Sequence, residues 1–537
     1  MPARDRSILR TPVRRLAAAA AGLLVVTLVA AGLTGGPSAA AAAEAPVAVG
    51  GVAAGYAEPV FATDPSNPSL LVGAAIAWQP AGSADAPVIA ALRSTDGGAT
   101  WTQQLLPTPG FAVGFDPSVA FLGPSRVVLG MLAGTRPGCA TGGSPVVRLS
   151  TDGGATWGAP TVVQDNLAGP AFADKPMVAA DPARHRVYVA WSRAVPSATT
   201  DSCEAIPSAN QLLVAASADA GRTFAPPVAI GAPGYATAFA AAMAVAGDGT
   251  LYVAFEASDR GVTPVRAAIY VVRSTDGGAS FSPPVRVGAA VEPEEPDGAN
   301  VFPTSWPAIA IDPTTGRVWV AWTTAWSGMP RVVTASADPE LRGFTHPHGL
   351  PGGTGQGAEL LASLGQGPAP VLGFLGFADR RLTPYVSVLG PRGFGAPVAA
   401  SPPVAAGSPF QLGEYLGAGG AGGEAQILWP SAAGGAQRLW FARTGVAVRA
   451  LPSPTPPPTP SVPASASGGS GASRTAPAGD AGGRASSGLP GGLRRLLVAA
   501  ATLLVLVLAA GAALRRRAVR RRAARRRGRH RAGSDRW

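Results

Sequence analysis

One eight-residue phrase recurs along the chain and restricts its fold more than any other feature. Ser94-Thr95-Asp96-Gly97-Gly98-Ala99-Thr100-Trp101 returns unchanged over residues 150–157, where Ser150, Asp152, Gly154 and Trp157 hold the same places. It returns again over 217–224, with Ser217, Asp219, Gly221 and Phe224, and over 274–281, with Ser274, Asp276, Gly278 and Phe281. A decayed fifth copy keeps Ser336, Asp338 and Phe344. Successive serines stand 56 to 67 residues apart. Short strands repeated at such a period make a toroidal or stacked array, not a single sandwich.

The octet has the chemistry of a hairpin turn. An Asp carboxylate accepts hydrogen bonds from N–H groups of its own turn, and Gly permits positive φ. The Thr or Ser hydroxyl satisfies a further backbone group, while Trp or Phe opens the next strand and packs beneath. Asp96, Asp152, Asp219 and Asp276 are therefore read as structural fasteners, not catalysts. Two more strands lie upstream of the octets. Residues 179–191 read AADPARHRVYVAW and residues 310–322 read AIDPTTGRVWVAW. Each is a strand, a turn and an alternating strand. With one strand leading into the octet and one following it, each unit offers four strands, which is one propeller blade.

These S-x-D-x-G-x-[ST]-[WF] octets at blade spacing resemble the Asp-box (BNR) repeats of the sialidase superfamily, over about residues 46–450. The fold expected is all-β, a six- or seven-bladed β-propeller of four-stranded antiparallel blades, followed by one C-terminal transmembrane helix. Seven blades are favoured, six being usual for true sialidases. A sixth unit is read around residues 371–398 and a seventh over 412–443. The seventh lacks an outer strand, which residues 47–54 are expected to supply so that the ring leaves no exposed edge. The resemblance implies hydrolysis of terminal sialic acids by an arginine triad, a Tyr–Glu nucleophile pair and an Asp acid/base at the central mouth. The family's first arginine lies in a Phe/Tyr-Arg-Ile-Pro stretch ahead of the first octet. No such stretch occurs here, where the matching region is Tyr56-Ala57-Glu58-Pro59-Val60.

Segments entering the innermost strands align as Ala57-Glu58-Pro59, Phe115-Asp116-Pro117, Asp174-Lys175-Pro176, Ser305-Trp306-Pro307 and Gly413-Glu414-Tyr415. Equivalent positions in successive blades meet around the channel. A spacing of 58 residues from Glu58 to Asp116, and again to Asp174, predicts a ring of Glu58, Asp116, Asp174 and Glu414 at the mouth. Lys175, Trp306 and Tyr415 stand beside it. Such a ring suits a sugar, acid/base carboxylates with shifted pKa values, or a calcium ion held by oxygen ligands. The structural alternative is a set of residues capping strand ends. No other cofactor is expected. Glu292, Glu294, Glu295 and Asp297 form a second acidic cluster, read as a solvated loop in preference to a calcium site.

A formal net charge of +12 over 537 residues invites a nucleic-acid partner. Yet residues 1–15 carry +4 and residues 494–537 carry +13, which leaves −5 for residues 16–493. The basic excess sits in two tails, and nucleic acid is excluded as a partner of the body. Residues 1–43 have the basic, apolar and small-residue regions of a secretory signal peptide. Residues 44–450 form the propeller. Residues 451–492 are a Pro/Ser/Gly-rich stalk, residues 493–514 a transmembrane helix, and residues 515–537 a basic tail kept cytoplasmic by its arginines. The propeller is thereby placed outside the cell, joined to the membrane by one helix. Export makes a Cys139–Cys203 disulfide the expected state of the two cysteines.

Two functions compete. In the leading one the propeller binds a glycan or a surface protein at its central face. In the other it is a divergent exo-α-sialidase or another glycoside hydrolase, with Asp174, Glu414, Tyr415 and Arg193 as catalytic residues. A non-catalytic structural spacer is a third reading. The missing arginine stretch favours binding.

Overall fold

Seven four-stranded antiparallel sheets follow one another along the chain. The computed structural model describes residues 45–449, apart from segments 79–86, 108–109, 135–142, 167–171, 197–206, 260–265, 407–411 and 432–436 and residues 52, 303 and 356. The innermost strands are Gly55–Asp64, Val113–Gly123, Phe172–Asp181, Thr237–Val245, Ala308–Ile311, Ala358–Gly365 and Gly417–Ala421. Each touches the next, and the seventh touches the first, so the sheets close into a seven-bladed propeller around a channel. In the sixth blade the outermost layer is three short pieces, Gly393–Phe394, Val398–Ala399 and Val404–Ala405, all paired with Arg381–Gly390.

Closure comes from the chain's two ends. Val47–Val49 pairs antiparallel with Arg438–Ala447, setting Val47 opposite Phe441 and Val49 opposite Leu439. The missing fourth strand of the last blade is thus supplied from the N-terminal side, as its absence from residues 412–443 requires. Sealing the ring removes the sheet edge that an open seventh blade would expose.

The core lies in layers between neighbouring blades. Tyr188 and Val214 of the third blade pack on Leu251 and Phe255 of the fourth. Tyr252 and Val271 of the fourth meet Trp322 and Val333 of the fifth. Leu71 and Leu92 of the first meet Leu428 and Phe441 of the seventh, which completes the circle. Trp191, Trp322 and Trp429 are fully buried, and alternation along each strand directs such side chains to the two blade faces.

Each octet is a hydrogen-bonded hairpin turn at the end of the channel opposite the start of the innermost strands. In the second blade, Ser150 Oγ donates to Asp152 Oδ1 at 2.8 Å, and Thr156 donates through N at 2.9 Å and Oγ1 at 2.5 Å. The same bonds recur around Asp96, Asp219 and Asp276. The glycine at the fifth place of each octet abuts the preceding blade: a Cβ on Gly98 would strike Phe441 of the seventh blade, and one on Gly154 would press on Val72 of the first. Gly is thus demanded twice over, by positive φ and by blade-to-blade contact.

Among the described residues no helix is long and apolar enough to cross a membrane. The expected signal, stalk, spanning segment and tail lie outside the described residues, as do Cys139 and Cys203.

Hydroxyl and N–H donors within the turn depress each of the four octet carboxylates to about 2. A folded value below the unfolded one, about 3.9, means that their contribution is complete above pH of about 4 and lost as pH falls toward 2. Asp152→Ala should therefore cost roughly 1–3 kcal/mol at neutral pH, from one half-buried and two solvent-exposed hydrogen bonds. Denaturant unfolding at pH 7 and pH 2 checks this, with the penalty expected to shrink at the lower pH.

Candidate functional site

Three innermost strands share one irregularity, and it builds the site. Antiparallel register slips between Ala57 and Val60, between Phe115 and Ser118, and between Asp174 and Met177. At each slip a residue followed by Pro takes left-handed backbone: Glu58 at φ 52°, Asp116 at φ 50° and Lys175 at φ 51°. Such a conformation costs a non-glycine residue about 1–3 kcal/mol and persists only where its surroundings enforce it. The bulge re-aims the side chain. The fourth and sixth blades carry the same bulge with Ala240 and Leu361 in that place. The bulge therefore belongs to the fold, and only the first three blades arm it with charge.

The three charged side chains meet. Lys175 Nζ lies 2.6 Å from Asp116 Oδ1 and 3.2 Å from Glu58 Oε1, and it is also paired with Glu414 Oε2. An ammonium has three N–H donors, and three carboxylates take them. Lys175 is the only lysine among 43 basic Lys and Arg residues. The planar fork of Arg cannot present three donors around one nitrogen. The rings of Trp306 and Tyr415 flank Nζ, with centroids 5.3 and 5.7 Å away. Beside Trp306, Ser305 Oγ donates to the buried Glu256 at 2.5 Å, and Tyr415 donates its hydroxyl to Pro117 O at 3.3 Å. Gly413, at φ 96°, lets the chain pass so near Glu58 that a Cβ would strike its side chain.

The structure places Lys175, not Asp174, in the position equivalent to Glu58 and Asp116. One extra residue precedes the third bulge, so an equal spacing of 58 lands one residue short. Asp174 stays in the ladder opposite Ser192 and lines the mouth of the channel. Glu58, Asp116 and Glu414 each bring one oxygen within 4.8 Å of the others, a grouping of the kind that holds a metal ion. The Lys175 ammonium supplies a positive charge to all three. Arg193 stands opposite Ala173 on the next strand and lines neither of the cavities described below. Glu292, Glu294, Glu295 and Asp297 are exposed.

The ion cluster separates two spaces. On the mouth side is a cavity of about 390 Å³, lined by Glu58, Asp116, Asp174, Lys175, Glu414 and the rings of Trp78, Phe115 and Phe302. On the other side the channel widens to about 880 Å³ between the innermost strands. Lys175 and Glu414 line both spaces. No arginine lines either one among the described residues. Trp78 and Phe302 escape sequence reasoning. Phe302 belongs to the long connection between the fourth and fifth blades. Ala299 and Val301 anchor that connection in the core of the sixth and seventh blades, and Phe302 N donates to Gly413 O at 3.2 Å. No local pattern announces a contact made two blades away.

Burial dominates the electrostatics. It pushes Asp174 up to about 7, helped by Asp116 and opposed by Lys175. Burial likewise raises Glu58 well above the carboxylate range, against the pull of Lys175. Burial alone would neutralise Lys175, but Asp116, Glu58, Glu414 and Asp174 outweigh it and hold the ammonium well above its ordinary value. Tyr415 is raised by burial and then by Glu58 and Asp116, so its hydroxyl stays protonated.

No family model matches this chain, and no curated protein matches it. Among solved structures it is similar to a Dyadobacter fermentans protein of unknown function, at 15% identity over 62% of this chain and 94% of that one, with a TM-score of 0.44. Penicillium chrysogenum α-L-arabinanase complexed with arabinobiose matches at 14% identity over 74% and 98%, with a TM-score of 0.42. Trypanosoma rangeli sialidase in complex with the inhibitor DANA matches at 11% identity, with a TM-score of 0.39, over 73% of this chain and 55% of that one. The chain thus spans little more than half of that sialidase. Likenesses this remote leave activity to be argued from the site itself.

Replacing Lys175 by Met leaves three carboxylates facing one another in a buried place. The expected loss is about 3–5 kcal/mol at pH 8. A carboxyl group raised in the folded state contributes stability below its unfolded value and loses it as pH rises through the folded value, about 7 for Asp174. The Lys175→Met penalty should therefore be smaller at pH 5 than at pH 8. Lys175→Arg should also destabilise. Urea unfolding of the three proteins at both pH values checks these outcomes.

Proposed function

We propose that this protein binds a glycan in the mouth cavity of its propeller, on the outer face of a membrane to which its C-terminal segment ties it. The observation that carries the reading is the wall of that cavity. The aromatic rings of Trp78, Phe115 and Phe302 share it with the carboxylates of Asp116, Asp174 and Glu414. Aromatic faces stack on the apolar face of a sugar ring, and carboxylates accept from its hydroxyls. A volume of about 390 Å³ lies in the range of small-ligand sites. The octets resemble Asp boxes and belong, on this reading, to the scaffold. The secretory signal, the arginine-flanked apolar segment and the stalk support display outside the cell.

A glycoside hydrolase is the second reading, and the pKa of about 7 at Asp174 favours it, since that value suits a general acid at neutral pH. Glu414 and Tyr415 would act beside it, without Arg193. A sialidase proper is disfavoured, because among the described residues no arginine lines the mouth to take a sugar carboxylate.

A glycan array probed with the purified protein should return specific hits. Trp78→Ala should weaken the best of them about tenfold or more, which is about 1.4 kcal/mol. An array without hits removes the binding reading. Release of product from a fluorogenic glycoside panel, abolished by Asp174→Asn, would install the hydrolase instead.

A further inference from the structure

Charged side chains on the wall of the mouth cavity are Glu58, Asp116, Asp174, Glu414 and Lys175, four carboxylates against one ammonium. No arginine joins them among the described residues, and the sequence holds no second lysine. The ammonium has nothing to offer a ligand, because Glu58, Asp116 and Glu414 take its three N–H donors. One acceptor on the wall is left over. Asp174 has no ion pair among the described residues, and it lines the cavity. Glu58 gives its Oε1 to Lys175, and its Oε2 is enclosed. A carboxylate that faces a cavity without a cationic donor leaves its charge uncompensated, so the wall is short of one.

Granting the glycan reading above, we infer that the mouth cavity selects a sugar carrying a protonated amine, an amino sugar with a free ammonium, over its neutral and acidic counterparts. The ammonium of such a sugar supplies donors to Asp174 and offsets the surplus negative charge of the wall. The faces of Trp78, Phe115 and Phe302 attract the same cation. An acidic sugar meets an acidic wall and, among the described side chains on it, no free cationic donor. A neutral sugar satisfies acceptors but leaves the charge. A calcium ion would be repelled by the Lys175 ammonium already seated among the three carboxylates that could ligate it.

Proton linkage follows from the same geometry. The charged groups facing Asp174 are Asp116, Lys175 and Glu414. Burial, helped by Asp116 and Glu414 and opposed by Lys175, keeps much of Asp174 protonated at neutral pH, and a bound ammonium favours the ionised form. Binding then releases a proton, and affinity rises with pH by up to about tenfold per unit below pH 7. An amine whose pKa is near 8 remains charged through that range.

Isothermal titration of the full chain in detergent micelles tests this, with disaccharides of glucosamine, N-acetylglucosamine, glucose and glucuronic acid as probes. The glucosamine form should bind at least tenfold more tightly than the acetylated and glucose forms, and the glucuronic acid form should not bind. Its Kd should fall several-fold for each unit from pH 5.5 to pH 7. Asp174→Asn should abolish both the slope and the preference. If that variant does not fold, the four-sugar comparison on the unaltered chain still decides. Equal or tighter binding of a neutral or acidic sugar across that pH range overturns the inference while the glycan reading stands. Binding of none of the four, alongside array hits for other neutral glycans, also overturns it. An array without any hit removes the glycan reading and this inference together.

Discussion

Ring closure is the constraint on which the rest of this molecule depends. Each blade is hydrophobic on both faces and must bury both, which in a ring means packing against two neighbours. Seven layers of side chains result, and the last of them needs Val47–Val49 to complete the seventh sheet. The octets serve the same end at the outer turns. The glycine at their fifth place admits the side chains of the preceding blade, so one eight-residue phrase both turns the chain and spaces the blades.

Closure also creates the site. Strands that converge on one axis bring side chains far apart in sequence into contact, and a bulge at a repeated place directs them inward. Glu58, Asp116 and Lys175 come from three successive blades, and Glu414 precedes a fourth. Burying four carboxylates and one ammonium together is costly, because desolvation opposes every charge. The three-donor ammonium compensates most of that cost, and what it leaves uncompensated faces the mouth. Strain at φ near 50° in each of the three bulges is of a piece with this, since non-glycine residues hold such backbone only where their contacts demand it.

Much of the fold was legible in the residues. The octets carry their own turn chemistry, and Asp, Gly and the closing Trp or Phe mean the same thing in every copy, so repeat spacing translated directly into blades. The site was legible in part. Alignment of the segments before the inner strands predicted a ring of Glu58, Asp116, Asp174 and Glu414 with Lys175, Trp306 and Tyr415 beside it, but Lys175 holds the place in the ring that counting 58 residues gave to Asp174. One added residue before the third bulge defeats counting, whereas the X-Pro pairs Glu58-Pro59, Asp116-Pro117 and Lys175-Pro176 mark the true register. Arg193 was attractive only for its charge, and its strand position takes it out of the channel wall.

By itself, the sequence determined the repeated unit, the number of strands in it, the need for a borrowed strand, and the confinement of the net positive excess to the tails. These are local or additive properties, written in turn residues, alternation and charge. Only the tertiary structure decided which charges pair. It placed one lysine among three carboxylates, left Asp174 lining the mouth, and brought Phe302 to the same cavity from a connection anchored in distant blades. Pairing of buried charge depends on distances of a few ångströms across the ring, and no periodicity along a chain encodes those.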